Sequence, residues 1–197
     1  FKNKGPEKPD PWEPGFRMRD KPGKIEQKGM GKRSYLFWGF TKKIDPRDLT
    51  ALQALSLYLS DKIIFDVREK RGMAYRMSAG IKFRKGLSLF YINMGTRPEN
   101  TDKLLPDVPG FFARHAADKL TDRELERLVN MYLGRMKFRR LSSINRAYYL
   151  SHSLYFTGDI GSDSKFFEKL KKVKASEVRA VAKKYLGPEN PLTIIVR

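Results

Sequence analysis

Between Asp45 and Lys70 the apolar residues stand at Leu49, Leu52, Leu55, Leu59, Ile63 and Val67. Steps of three and four are the period of one helix face, so the stretch predicts a long helix. Asp45 followed by Pro46 supplies an N-cap and a first helical residue. Arg68, Lys70 and Arg71 fill the last turn, where the helix dipole favours cations, and Gly72 supplies the left-handed residue that commonly ends a helix. Past Gly72 the period drops to two. Met73, Tyr75, Met77, Ala79, Ile81 and Phe83 alternate with Ala74, Arg76, Ser78, Gly80, Lys82 and Arg84. That predicts a strand from Gly72 to Phe83, with Tyr75 on the more apolar set. Arg84-Lys85-Gly86 reads as a hairpin turn into a second strand, Leu87 to Thr96, apolar on both faces and therefore central in its sheet.

Around this unit the pattern is coarser. Ser34 to Thr41 is a short continuous apolar run, the signature of a buried strand. Asn100 to Lys119 is a weaker helical region interrupted by Pro106 and Pro109. Thr121 with Glu124 opens a capping box, and the helix after it carries Leu125, Leu128, Val129, Tyr132, Leu133 and Met136. Ser142 or Ser143 starts a further helix made aromatic by Tyr148, Tyr149 and Tyr155, for which core packing comes first and a substrate-facing tyrosine second. Helices at Phe166–Lys171 and Ser176–Tyr185, a Gly187-Pro188 stop and a strand from Leu192 to Val196 complete the order. Strand, helix, strand, strand, helices, strand predicts an α+β domain: a mixed, mostly antiparallel sheet with helices packed on one face. Residues 1–31, rich in Pro, Gly and charge, read as a linker or extended arm, leaving 32–197 as the folded domain; Trp12 and Phe16 are candidates to pin the arm.

Composition narrows the chemistry. The 197 residues, 40% hydrophobic and 12% aromatic, suffice for one domain with a sizeable core. With no Cys there is no disulfide, thiolate nucleophile or thiolate metal site. No signal peptide is visible, and no apolar run approaches the length that spans a bilayer. The two histidines, His115 and His152, are far apart, and neither belongs to an H-x-x-E-H or H-E-x-x-H motif. A catalytic zinc needs three protein ligands and a base, so no metal-ligating residue is assigned here. No G-x-S-x-G elbow, phosphate loop or dinucleotide fingerprint is present.

The junction itself, Arg68-Glu69-Lys70-Arg71-Gly72 followed by Tyr75, resembles the C-terminal domain of the pitrilysin/insulinase family of zinc metallopeptidases, to which the mitochondrial processing peptidases are related. Ser34-Tyr35-Leu36-Phe37-Trp38-Gly39-Phe40 is similar to that domain's opening strand, and Met94 to Asn100 to the end of its second hairpin strand. The tail from Lys171 through Pro188-Glu189-Asn190 is similar as well. The resemblance implies a half-domain that carries no zinc. Zinc would sit on a partner half bearing H-x-x-E-H, fused or separate. It also implies that Arg68 and Tyr75, seven residues apart, reach the substrate: Arg68 to anchor peptide backbone or a carboxylate, Tyr75 to donate toward the scissile region. The plainer alternatives are a helix-end cation and a core tyrosine. At the level of the protein, the rival is a non-catalytic scaffold or binding subunit of the same superfamily.

The net charge of +19 is large, but its cations are spread through Lys82–Lys85, Arg135–Arg140 and Lys165–Lys174, with no nucleic-acid-binding motif among them. Solvated helix faces on half of a larger protein come first. A positive chamber wall that attracts acidic peptides comes second, and nucleic-acid binding last.

Overall fold

The structure, a computed structural model, describes residues 18–29, 31–84 and 87–197. Trp12, Phe16 and the hairpin turn at Lys85 and Gly86 lie outside the described residues. Five strands form one sheet: β1 (Gly23–Gln27), β2 (Ser34–Lys43), β3 (Arg76–Arg84), β4 (Leu87–Thr96) and β5 (Leu192–Val196). Their order is β1-β5-β2-β4-β3, with β1 parallel to β5 and the other pairings antiparallel. This is the mixed, mostly antiparallel sheet that the periodicity predicts. Within residues 1–31, Gly23–Gln27 joins the sheet as its edge strand beside β5.

The described residues also form α1 (Leu49–Ile64), α2 (Pro98–Leu104), α3 (Phe111–Arg114), α4 (Asp122–Arg139), α5 (Ser143–Thr157), α6 (Ser162–Lys172) and α7 (Ala175–Tyr185). The core lies between these helices and one face of the sheet. Leu36, Trp38 and Phe40 of β2, Ala79 and Ile81 of β3, Phe90, Ile92 and Met94 of β4 and Ile195 of β5 are all buried there. Phe40 stacks on Phe90 with ring centroids 4.9 Å apart, and Phe112 of α3 meets both rings edge-on. Offset-stacked and edge-to-face rings suit the aromatic quadrupole and add to the apolar burial. α1 packs along β3, where Ser56 Oγ accepts from the Ile81 N–H at 2.8 Å and closes that edge of the sheet.

α1 is built as its sequence dictates. Leu52, Leu55, Leu59 and Ile63 are fully buried, and Asp45 Oδ1 accepts the Arg47 N–H at 2.9 Å. The expected run to Lys70 is corrected at its end. α-Helical pitch stops at Ile64, and Phe65–Lys70 is a π-helix. A period-3.6 pattern does not separate the two, because Val67 stays buried in either. The stop is a left-handed αL cap: Gly72 lies at φ +62° with its N–H on Arg68 C=O at 3.1 Å, and the wider π turn carries the next N–H, of Met73, back to Val67 C=O at 3.0 Å.

Two further expectations are corrected. Thr121 Oγ1 does accept the Glu124 N–H, but the Glu124 carboxylate pairs with Lys62 at 2.6 Å instead of turning back to complete a capping box. α5 is not a core helix. Ser153 is its only buried residue, and Ile144, Tyr148, Leu154, Tyr155 and Phe156 are exposed. Arg140 ties it to α6: its guanidinium lies 3.9 Å from the Tyr149 ring centroid and 2.5 Å from Asp163. Tyr148 and Tyr155, read first as core-packing residues, face outward.

Candidate functional site

Between the π-turn and β3, Met73 and Tyr75 are fastened to the end of β4. The Tyr75 N–H donates to Gly95 C=O at 3.3 Å, and the Tyr75 hydroxyl to Thr96 C=O at 3.0 Å. The Thr96 hydroxyl donates to Met73 C=O, and Asn100 Nδ2 reaches the same oxygen at 3.4 Å. The two stretches that stood out in the sequence, Arg68 to Tyr75 and Met94 to Asn100, are therefore one structure.

This clasp decides where Tyr75 points. Arg76 is the residue in register with Gly95, yet the Tyr75 N–H also bonds Gly95. Two residues oppose one, as in a β-bulge, and the strand's alternation is broken there. β3 consequently begins at Arg76, not Gly72. Tyr75 shares a sequence phase with the core residues Ala79 and Ile81, but its ring lies over Gly95 on the opposite, open face. A Cβ placed on Gly95 would meet Tyr75 Cε2 at 3.2 Å and Tyr35 Cε1 at 3.5 Å. Tyr75 is 47% exposed, so the core-tyrosine alternative does not hold. The Arg33 guanidinium stands 5.5 Å from its ring centroid.

Arg68 lies in the π segment, half-exposed, with its Nε on Glu69 Oε1 at 2.7 Å. Beneath it a charged network fixes the turn. Arg71 bridges Asp66 at 2.9 Å and Asp107 at 2.5 Å, and Arg114 adds a contact to Asp107 at 3.0 Å. Burial opposes ionisation of Asp66, but the hydrogen bonds and charge of Arg71, helped by His115, hold its carboxyl below the ordinary range. His115 Nε2 is buried, 3.5 Å from Asp66 but without hydrogen-bond alignment to it. Burial pushes its pKa down despite that carboxylate. His152 lies on α5 against Phe156, far along the chain from this network. Among the described residues no three His, Asp or Glu side chains gather as a metal-ligand set.

Tyr35 and Arg33 went unassigned in the sequence. Their signal was there: Tyr35 and Phe37 run in antiphase to the buried Leu36, Trp38 and Phe40, which marks a second face with its own aromatics.

The sequence matches the family model described as the peptidase M16 inactive domain over residues 1–132. The chain belongs to this family. No curated protein sequence matches it. A peptidase M16 inactive domain from Pseudomonas fluorescens has a similar structure, with a TM-score of 0.72 and 20% identity over 89% of this chain and 43% of that one. A protease from Helicobacter pylori gives 0.71 and 16% over 92% and 45%. The periplasmic protease PqqL from Escherichia coli gives 0.71 and 17% over 89% and 20%. At these identities the likeness establishes the M16 fold. The chain spans less than half the length of each of these proteins. The pitrilysin/insulinase resemblance read from the sequence and the M16 inactive domain are the same assignment.

Proposed function

We propose that this M16 domain is the non-zinc half of a zinc-dependent metalloendopeptidase. In this reading it binds an extended peptide and presents Arg68 and Tyr75 to a zinc-bearing H-x-x-E-H half, with the connecting arm expected in residues 1–31 confined to the chain ahead of β1. The observation that carries it is the bulge at Tyr75. A tyrosine in phase with the core is turned out onto an open sheet face, and Arg68, which the sequence spacing pairs with it, is itself exposed. Tyr75 then supplies a hydroxyl fixed by its backbone clasp, and Arg68 a guanidinium suited to a backbone carbonyl or a carboxylate. Both groups have a resident partner, Thr96 C=O and Glu69. A substrate must compete for them, so binding and rearrangement of these two side chains go together.

α5 is the proposed contact with the zinc-bearing half. A helix that is apolar nearly all round is stable when something covers it, and here little does.

The test is reconstitution: the chain combined with the half encoded upstream, zinc added, and cleavage of an unstructured peptide pool followed. Cleavage that needs both halves and falls by two to three orders of magnitude in Tyr75→Phe or Arg68→Ala, with folding retained, supports the reading; losses of about this size accompany removal of a positioned donor. Association without cleavage would favour the scaffold role, to which the satisfied hydroxyl of Tyr75 and the Glu69-paired Arg68 also conform. Full activity in both variants would reduce the two residues to structural ones.

A further inference from the structure

The open face of the sheet carries no carboxylate among its described residues. Its first cross-strand row runs Arg76, Gly95, Tyr35, Val196, Gln27, and its second Ser78, Asn93, Phe37, Ile194, Ile25. Further along stand Lys82, over the Tyr91 ring at 4.7 Å, and Lys43. In a chain with 22 Asp and Glu, this face has collected only cations, aromatics and neutral groups. At the end nearest Tyr75 the row becomes a site. Gly95 has no side chain, so Tyr35 and Tyr75 both lean over it. Lys32 and Arg33 enter from the chain just before β2, and beside them a cavity of about 300 Å³ opens between Lys32, Arg33, Tyr35 and Val196. Among the described residues, none of Lys32, Arg33 and Arg76 has a carboxylate within ion-pair distance, although most other arginines around the π-turn do.

We propose that this site is a specificity pocket for an acidic side chain, Asp or Glu, of an extended peptide held at Tyr75. The inference rests on the peptide-binding role proposed above and names its substrate class. The chemistry is complementary on each count. The Tyr35 ring walls the cavity and the Tyr75 ring flanks it across Gly95, flat surfaces for the stem of the side chain, and Lys32, Arg33 and Arg76 offer charged donors that an incoming carboxylate satisfies without displacing another among the described residues. A Lys or Arg in the same place meets like charge and no acceptor carboxylate, so the pocket rejects basic side chains as well as accepting acidic ones.

The experiment uses the 197-residue chain and short, unstructured, fluorescein-labelled peptides that differ at one central residue, Glu, Gln or Lys. Affinity is read by fluorescence anisotropy at low and physiological salt. The Glu peptide is expected to bind about tenfold more tightly than the Gln peptide, with the Lys peptide weakest. Lys32→Gln with Arg33→Gln, and separately Arg76→Gln, should shrink that advantage to about threefold or less. Lys169→Gln with Lys172→Gln, exposed on α6 and removing the same charge as the first pair, should leave it intact. Equal binding of the three peptides would overturn the pocket while leaving the peptide-binding role in place. No binding of any peptide would sink both. Loss of preference in the α6 control would show bulk charge at work instead of a site. A single-stranded oligonucleotide that outcompetes the Glu peptide with the same Arg33 dependence would reassign the face to nucleic acid.

Discussion

Gly72 and Gly95 are small for different reasons, and the difference is measurable. Gly72 sits at φ +62° with open space around a would-be Cβ, so Gly72→Ala meets only the left-handed backbone penalty of about 1–2 kcal/mol. The expected fall in Tm is roughly 2–6 °C by calorimetry. Gly95→Ala pushes against the Tyr75 ring, which must give by a few tenths of an ångström. If the chain is the non-zinc peptidase half proposed above, that variant should cost the reconstituted pair activity out of proportion to a small change in Tm. A proportionate loss would show that the position of the ring is unimportant. His115 gives the pH prediction. Its pKa is about 6.5 when unfolded and lower when buried in the fold. Between the two values the unfolded chain holds more protons, so stability falls as pH drops through that window and is level above it. Tm followed from neutral pH to about pH 5 should show this slope, and His115→Gln should flatten it. At this scale legibility was uneven. Arg68, Tyr75 and the Gly72 stop were visible as spacing and residue type. The direction of Tyr75 was not, because a bulge shifts strand phase by one residue and leaves no mark in an alternating pattern.

Among the elements, those whose burial is settled inside the chain were legible almost residue by residue. β5 is the strand read from Leu192 to Val196, and the apolar stripe of α1 is the buried one. α5 was not, and its case is instructive. Its spacing is as helical as that of α4, and Ser142 caps it as expected through the Asn145 N–H at 3.2 Å. Periodicity gives the helix but not what covers it. The Tyr148→Ser, Phe156→Ser double variant separates the two possibilities. Both side chains are exposed, so stability of the chain alone should move by no more than about 0.5 kcal/mol per substitution. If α5 is the contact with the zinc-bearing half, affinity for that half should fall at least about tenfold, since buried aromatics dominate such interfaces. Titration calorimetry with the upstream half reads this directly, and unchanged affinity would move the contact elsewhere.

For the whole molecule, 41 Lys and Arg against 22 Asp and Glu set two opposing dependences on salt. The ion pairs are largely exposed: Arg47–Asp45, Lys165–Asp159 and Lys171–Glu168 are examples, and each is worth little and weakens as salt rises. Self-repulsion of a +19 chain works the other way. It acts between charges throughout the compact state, is relieved when the chain expands, and is screened within about 10 Å at 0.1 M salt. Each favourable pair acts between two touching groups, whereas the surplus cations repel one another across the molecule and include the acid-free sheet face. Repulsion should therefore win, and Tm of the isolated chain should rise by a few degrees between about 10 mM and 0.3 M sodium chloride. The charge count made the sign of this effect legible from the sequence. Its location was not, because Lys32, Arg33 and Lys43 near and on β2 and Arg76 and Lys82 on β3 come to share one face only when the sheet forms. Binding of an acidic peptide should follow the opposite course, strongest at low salt and declining as screening sets in. A chain that gains stability while losing acidic-peptide affinity over the same salt range places the uncompensated charge on the binding face; parallel loss of both would place it in the ion pairs that hold the fold.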